Sequence, residues 1–172
     1  MPLERETLAY IAGLFDGEGC VNFTRSGQSK TWVIRVMIRN TDRGIIEYVQ
    51  SLFGGRIETK KAYAGKPLWK PSYCWRADWD AAISFLVQIE PWIRIKKEQI
   101  YCARVWDAVR SRGNANVDQE YRDMIELLAQ QLQWLNRKGR RQKTDHEPIE
   151  QTLATLPVPM EQILEEVGYA TH

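Results

Sequence analysis

The sequence predicts an α+β fold in which three helices alternate with two β-hairpins, in the order αββαββα, with an antiparallel sheet and further helices towards the C-terminus. Three observations predict it. Residues 8–18 have helical apolar spacing, residues 20–24 and 32–40 alternate with a period of two, and Gly54-Gly55 ends a second helical segment. Because a hairpin pairs antiparallel strands, the two hairpins are expected to form an antiparallel sheet. The helices are expected to pack beside this sheet and bury its apolar face.

The first helix has one face that is almost bare of side chains. Ala9, Gly13 and Gly17 recur every four residues, which places them on the same side of the helix. A glycine inside a helix costs about 1 kcal/mol of stability relative to alanine, so two of them suggest a compensating contact. A face without side chains allows a second backbone to approach closely, which would be such a contact. Glu18 falls at the C-terminal end, where the helix dipole disfavours an anion unless a cation shares the site. The alternative is an ordinary amphipathic helix ending in a glycine-rich turn.

The first hairpin follows this helix directly. Val21 and Phe23 alternate with the residues between them along residues 20–24. Along Trp32–Asn40, Ile34, Val36 and Ile38 alternate with a set that contains Arg35 and Arg39, which predicts two strands with one basic face. Thr41 or Asp42 can cap the next helix, which runs to about Phe53.

The second hairpin joins residues 56–61 to residues 72–78 through a long loop rich in basic and aromatic residues. Asp80 can cap a third helix, which completes the αββαββα order. Residues 95–110 and 119–137 have amphipathic spacing and predict two longer helices, separated by a link rich in Gly and Asn.

Composition excludes several classes of protein. The chain is 44% hydrophobic, and no apolar run approaches the ~20 residues that a membrane span needs. Its three cysteines are odd in number and widely spaced, and both histidines lie near the C-terminus, so disulfide, zinc and histidine chemistry are not expected. We interpret the 172 residues as one intracellular domain, with a core of residues 5–110 and a C-terminal helical extension of residues 119–168.

Charge is distributed unevenly along the chain. All 24 Lys and Arg residues fall within residues 1–143 beside 16 of the 22 acids, whereas residues 144–172 hold the other six acids. This asymmetry predicts an anionic partner for the main body, although solvated charged faces would give the same counts.

Residues Ile11–Gly19 resemble the nonamer motif of the LAGLIDADG homing endonucleases, and the stretch Asp16-Gly17-Glu18-Gly19 matches its most diagnostic half. The order of elements is similar over most of the chain. The resemblance implies that Glu18, with Gly17 beside it, binds a catalytic divalent metal, Mg²⁺ or another cation such as Mn²⁺. The family's usual residue is Asp, and Glu keeps its charge while its extra methylene shifts the metal slightly.

Two further matches complete the implied catalytic site. Residues 90–99 resemble the family segment in which a proline-marked turn delivers a lysine, which aligns with Lys96, with Lys97 as the alternative. Lys96 would stabilise developing charge as an electrostatic helper. Asp42 aligns with the polar residue that helps to position active-site water, although it could simply cap a helix.

A single copy of the motif implies a homodimer. The bare helix face would then pack against its twin through Ala9, Tyr10, Gly13 and Gly17. Two Glu18 carboxylates would come close together, and this arrangement of like charges is costly unless cations bridge it.

The resemblance also implies that the sheet binds double-stranded DNA. A two-stranded ribbon fits the major groove, so the polar strand faces would meet the base edges. A slip of one residue at a bulge would bring in Arg76, and core packing is an equal alternative for Trp75. The base-facing residues predicted on this interpretation are Asn22, Thr24, Val33, Arg35, Met37, Arg39, Arg56, Glu58, Lys60, Tyr73 and Trp75. The predicted phosphate contacts are Lys66, Lys70, Lys138, Arg140, Arg141 and Lys143.

The implied function is a site-specific DNA endonuclease that cuts a long, roughly palindromic target, leaves 3′ overhangs and serves intron mobility. One alternative is a maturase that binds a group I intron RNA on the same sheet and assists splicing. The other is a DNA-binding regulator that does not cleave, which would be expected to have lost Glu18. Bacterial or archaeal cytoplasm, chloroplast and mitochondrion are all compatible with the sequence.

Overall fold

The computed structural model describes residues 2–25, 32–60, 70–112 and 119–136. Within these residues the predicted αββαββα order and the α+β class are confirmed. The elements are α1 (Arg5–Glu18), β1 (Gly19–Arg25), β2 (Trp32–Asn40), α2 (Arg43–Phe53), β3 (Arg56–Lys60), β4 (Ser72–Asp78), α3 (Trp79–Ile89), a 3₁₀ turn (Glu90–Trp92), α4 (Lys97–Arg112) and α5 (Gln119–Leu135).

The four strands form one antiparallel sheet in the order β1-β2-β4-β3. Each predicted hairpin pairs its own two strands, and the hairpins meet where β2 lies beside β4. Helices α1, α2 and α3 contact strands of this sheet. The strands bury alternate side chains beneath the helices, among them Val21, Ile34, Val36 and Trp75, each 0% exposed. One face of the sheet is therefore part of the core beneath these helices.

An aromatic cluster joins the three helices to β4. The ring of Phe85 on α3 lies 5.4 Å from Phe15 on α1, 4.9 Å from Phe53 on α2 and 4.8 Å from Trp75, measured between ring centroids. Edge and tilted ring contacts at these distances add to the free energy gained by burying apolar surface. The cluster thus positions the end of α1 against the sheet.

The turns that bound α2 have the predicted chemistry. The Asp42 carboxylate accepts the backbone N–H of Ile45 at 3.2 Å, as an N-terminal cap does. Gly54 and Gly55 have φ values of 69° and 82°, a region that favours glycine, and they end the helix.

The start of α3 differs from the prediction. The helix begins at Trp79, and Asp80 lies in its first turn instead of capping it. The residue before the helix is Asp78, whose carboxylate makes no cap because it is bound to Arg35 of β2 and to Arg76 of its own strand. Trp79 makes the transition with a φ of 56°, which is unusual for a bulky residue.

The chain divides into two compact units, residues 1–97 and residues 98–172. The first unit contains the sheet and helices α1 to α3. In the second, the described residues belong to α4 and α5, whose buried side chains include Trp106 and Leu128. No helix among the described residues is long and apolar enough to cross a membrane.

Candidate functional site

The C-terminal end of α1 and the C-terminal end of β2 lie at the same end of the sheet, measured along the strands. Gly19, the first residue of β1, pairs with Ile38 near the end of β2. Glu18 therefore lies close to the segment that leads from β2 to Asp42. A side chain at Gly19 would collide with the ring of Phe15, so glycine lets the helix pass directly into the strand.

Lys96 is held at this end of the sheet by Asp16. The buried Asp16 carboxylate accepts backbone N–H bonds from Arg94 at 2.7 Å, Ile95 at 3.2 Å and Lys96 at 3.1 Å. The Lys96 ammonium donates to the backbone carbonyl of Asp16 at 2.5 Å. Lys96 is 7% exposed, whereas the neighbouring Lys97 is exposed. Of the two candidate lysines, the structure brings Lys96 to the end of α1, where the helix dipole favours a cation.

Glu18 is placed differently from its buried neighbour Asp16. Its side chain is exposed and makes no hydrogen bond or ion pair within the part of the chain that the structure describes. The carboxylate and the carbonyl oxygen of Gly17 are oxygen donors of the kind that Mg²⁺ prefers. Among the described residues, no group of three or more His, Cys, Asp and Glu side chains could hold a metal. The donors fit a divalent cation, but one chain offers few of them.

The bare face predicted on α1 is open in the structure. A Cβ atom added to Gly13 or Gly17 would meet nothing within 4 Å, apart from the helix's own nearby backbone. Tyr10, on the same side of the helix, is 55% exposed, and Ala9 is half-buried. The helix therefore presents a smooth surface with one aromatic ring beside it.

The strand pairing defines the sheet face opposite the helices, which we call the outer face. Asn22 pairs with Arg35 and Arg35 with Asp78, so all three side chains share this face. In the next rows Met37, Arg76 and Arg56 pair across the strands. The outer face comprises Cys20, Asn22, Thr24, Val33, Arg35, Met37, Arg39, Arg56, Glu58, Lys60, Ser72, Cys74, Arg76 and Asp78.

Two of the predicted base-facing residues lie on the wrong face. Trp75 is fully buried under the helices, and its indole N–H donates to the Gly54 carbonyl at 2.7 Å. Tyr73 has the same parity along β4, and its ring lies 5.8 Å from the guanidinium carbon of Arg43. The assignment of Tyr73 and Trp75 to base contacts is wrong. Trp75 pairs with the buried Ile38, so it faces the helices, and Tyr73, two residues earlier on β4, faces the same way. Arg76 takes the outward position.

Val33 requires a second correction. Its register puts it on the outer face, opposite Thr24, but its side chain is only 6% exposed. A side chain with so little accessible surface has no room to contact a base edge. Of the predicted phosphate contacts, Lys70 is exposed just before β4. The others, Lys66, Lys138, Arg140, Arg141 and Lys143, lie outside the described residues.

An ionic network occupies the middle of the outer face. The Asp78 carboxylate binds Nε of Arg35 at 2.7 Å, Nη2 of Arg76 at 2.8 Å and Nη2 of Arg56 at 3.2 Å. Arg76 also reaches Glu58, with Nη1 at 2.7 Å from the carboxylate. Burial alone would raise the pKa of Asp78, but the hydrogen bonds from Arg76 and Arg35 outweigh it and lower that pKa. Asp78 is therefore an anion beneath a group of arginines, which the sequence patterns did not indicate.

Comparison with known proteins shows which solved structures share this fold. Residues 5–68 match the model of the LAGLIDADG-like domain. The chain is similar to the homing endonuclease I-CvuI, solved with its target in the presence of calcium, at a TM-score of 0.63 and 16% identity over 96% of this chain and 97% of that one. It is also similar to the archaeal intron-encoded homing endonuclease I-Vdi141I, solved with DNA, at a TM-score of 0.65 and 19% identity over 94% and 98% of the two chains.

A larger relative shows the same unit as part of a longer chain. The meganuclease I-SmaMI, bound to uncleaveable DNA, matches at a TM-score of 0.56 and 18% identity, over 72% of this chain but 43% of its own. No curated protein matches the chain in sequence. The fold and the motif helix thus define a protein built on the homing-endonuclease architecture. Residues 5–68 thus resemble a LAGLIDADG-like domain, and the fold of the described residues is similar to that of the homing endonucleases compared above.

Proposed function

We propose that this protein is a site-specific DNA endonuclease that acts as a homodimer and depends on a divalent metal. The observation that carries the proposal is the end of α1, where Lys96 is fixed to the Asp16 carbonyl beside the exposed Glu18. At this helix end the Glu18 carboxylate could bind a metal ion, and the Lys96 ammonium could stabilise negative charge on a phosphate. The DNA complexes of similar structures support the same substrate.

The residues at this end of the sheet would divide the work of phosphodiester hydrolysis. Glu18 and the Gly17 carbonyl would hold the metal, Mg²⁺ or a related ion such as Mn²⁺. When bound, such an ion activates water and neutralises charge on the phosphate. Lys96 would place its positive charge near the same phosphate and stabilise the negative charge that develops there. Asp42, besides capping α2, would help to orient water at the end of β2.

The homodimer is supported by the exposed face of α1. Gly13 and Gly17 leave open space along it, so a second copy of the helix could approach to backbone distance. A two-fold axis along this face would bring two Glu18 side chains together. The pair would supply the second carboxylate that one chain lacks. The twin sheets would then read two related half-sites, which predicts a long and roughly palindromic target.

DNA recognition would fall to the outer face. Arg35, Arg39 and Arg56 carry positive charge there, and Asn22 and Thr24 add neutral hydrogen-bonding groups. Arginine and asparagine are the side chains best suited to read guanine and adenine in the major groove. On this proposal the enzyme cuts both strands, leaves 3′ overhangs and serves intron mobility. It would act inside a bacterial or archaeal cell, or in an organelle.

The proposal can be tested without a known target. A self-complementary duplex library, with the same random sequence in both half-sites, is incubated with the protein and Mg²⁺, and the cut ends are sequenced. We expect one family of cleaved sequences with 3′ overhangs. Cleavage should disappear with EDTA and in the Glu18→Gln variant, while the variant still retains the same sequences on a filter. A protein that binds and cuts no duplex would contradict the proposal, and retention of an RNA library instead would favour the maturase.

A further inference from the structure

Asp78 has an unusual position for an acid on a surface that must meet DNA. It ends β4 directly opposite Arg35, and its side chain is only 11% exposed. An acid at this position would repel phosphates if it stood alone. Three arginines cover it instead, so its charge is neutralised within the protein. The network therefore controls how those arginines face a ligand.

Arg35 is bound to Asp78 through one nitrogen only. Its Nε donates to Oδ1 at 2.7 Å, and its two terminal nitrogens make no hydrogen bond within the described residues. Because the guanidinium is planar, fixing Nε also fixes the direction of the edge formed by Nη1 and Nη2. This edge carries the two parallel donors that bind O6 and N7 of guanine.

Arg76 is in the opposite situation. Its Nε and Nη2 donate to Asp78 at 3.0 and 2.8 Å, and its Nη1 donates to Glu58 at 2.7 Å. All three nitrogens are engaged and the side chain is 18% exposed, so Arg76 would have to break ion pairs to reach a base or a phosphate. Arg56 holds Asp78 more loosely, at 3.2 Å, and is 66% exposed.

We propose that Asp78 is a positioning residue for sequence specificity, which fixes the terminal edge of Arg35 for base reading and, with Glu58, withholds Arg76 from DNA. The inference rests on the proposed function, since it assumes that the outer face meets duplex DNA. It goes beyond that function by dividing the arginines into a reader, Arg35, and a brace, Arg76. It also assigns a role in recognition to a residue that itself contacts no base.

Loss of the Asp78 charge would affect DNA binding differently from a simple loss of stability. Removal of the Asp78 charge would release three guanidinium groups towards the DNA. Non-specific affinity and its salt dependence should then rise, because more cations would reach phosphates. Discrimination at the base read by Arg35 should fall at the same time, because its edge would no longer be held in one orientation. A merely destabilised protein would not bind random DNA more tightly.

The test compares Asp78→Asn with Glu47→Gln, which removes one acid from the exposed Arg43–Glu47 pair on α2 and so matches the change in charge. Both proteins and the wild type select sequences from the palindromic duplex library with Ca²⁺ in place of Mg²⁺. We expect Asp78→Asn to lose roughly tenfold in base preference at one position of each half-site and to bind random duplex more tightly. Glu47→Gln should select the wild-type motif.

Two further variants separate the effect of Asp78 on Arg35 from a loss of folding. In an Arg35→Ala background, Asp78→Asn should change the preference at that position no further, because Asp78 acts through Arg35. If Asp78→Asn proves unfolded in a thermal scan, Asp78→Glu retains the charge, displaces the carboxylate and should show the same loss of preference. Wild-type binding with an unchanged motif in the folded Asp78 variants would overturn the inference alone. A wild type that selects no duplex would overturn the proposed function itself.

Discussion

The ammonium of Lys96 lies 2.5 Å from the backbone carbonyl oxygen of Asp16, two residues before the end of α1. The contact joins a helix and a loop that are 80 residues apart in sequence. It is completed by the Asp16 carboxylate, which binds three successive amides of the same loop. One residue of the motif helix thus fixes the position of the candidate catalytic lysine from both its side chain and its backbone.

Replacement of Lys96 by Met should reduce cleavage while sparing DNA binding. Loss of a cation beside the reacting phosphate typically costs about 10²–10³ in rate, and the methionine keeps most of the buried volume. Single-turnover cleavage of the selected duplex, together with binding in Ca²⁺, measures both effects. Lys97→Met is the control, because Lys97 is exposed and adjacent. Equal losses in the two variants would remove Lys96 from the catalytic assignment.

Replacement of Asp16 by Asn should destabilise the first unit. The backbone N–H groups of residues 94–96 now donate to the two carboxylate oxygens of Asp16. In asparagine an NH₂ donor replaces one of these oxygens, so at least one N–H group would lose its acceptor. Leaving such buried donors without partners costs about 1–3 kcal/mol in the free energy of unfolding. Denaturant unfolding followed by tryptophan fluorescence measures the change. Glu4→Gln is the control. The Glu4 side chain makes no capping hydrogen bond at the start of the same helix, so this substitution should change the free energy of unfolding by less than ~0.5 kcal/mol.

The substitution Gly13→Leu should prevent dimer formation without unfolding the monomer. The added side chain meets open space within one chain, so any loss of assembly would come from the contact between copies. Overpacking typically costs about 1–3 kcal/mol, and a two-fold axis applies it twice. Sedimentation at micromolar concentration measures the outcome, with Ala81→Leu, at an exposed position of α3, as the control. A wild-type monomer, or a dimeric and active Gly13→Leu protein, would refute the assembly.

Arg39 and Lys70 should differ in their effect on DNA binding. Arg39 is exposed on the outer face, and its removal should relax base choice at one position by about 1–3 kcal/mol if the contact is bidentate. Lys70 lies before β4, and Lys70→Ala should weaken all sequences alike and lower the salt slope by about one unit. Binding to single-base variants at several salt concentrations separates the two effects. If both variants weaken every sequence equally, the outer face does not read bases.

Strands β2 and β4 were predictable because apolar or aromatic side chains recur at every second position on one face of each strand. Alternation located β2 and β4 with their observed bounds, and the two glycines marked the end of α2. The orientation of β4 was harder to predict, because Tyr73 and Trp75 can occupy either face of a sheet. Its parity is decided by pairing with β2, where Trp75 lies opposite Ile38. That contact between distant segments has no local signature.

The candidate site was predictable only where a motif marked it. Resemblance predicted Glu18 and Lys96 as site residues, and glycine spacing predicted the bare helix face. The partners of Asp16 and Asp78 carried no such signal, because the motif that contains Asp16 does not mark the loop that its carboxylate binds, and Asp78 lies in no motif. Their roles arise from bonds between residues about 80 and 43 positions apart. Long-range electrostatic contacts of this kind follow from the fold rather than from local sequence.

In the proposed homodimer, two Glu18 side chains share one metal site, and cleavage depends on both of them. Wild-type and Glu18→Gln subunits can be unfolded together, refolded as mixtures and assayed for total strand cuts, single-strand nicks included, at each mixing ratio. If both carboxylates are required, activity should follow the square of the wild-type fraction and fall to about one quarter in an equal mixture. A linear fall to about one half would show that each subunit cleaves by itself, and would contradict the shared site.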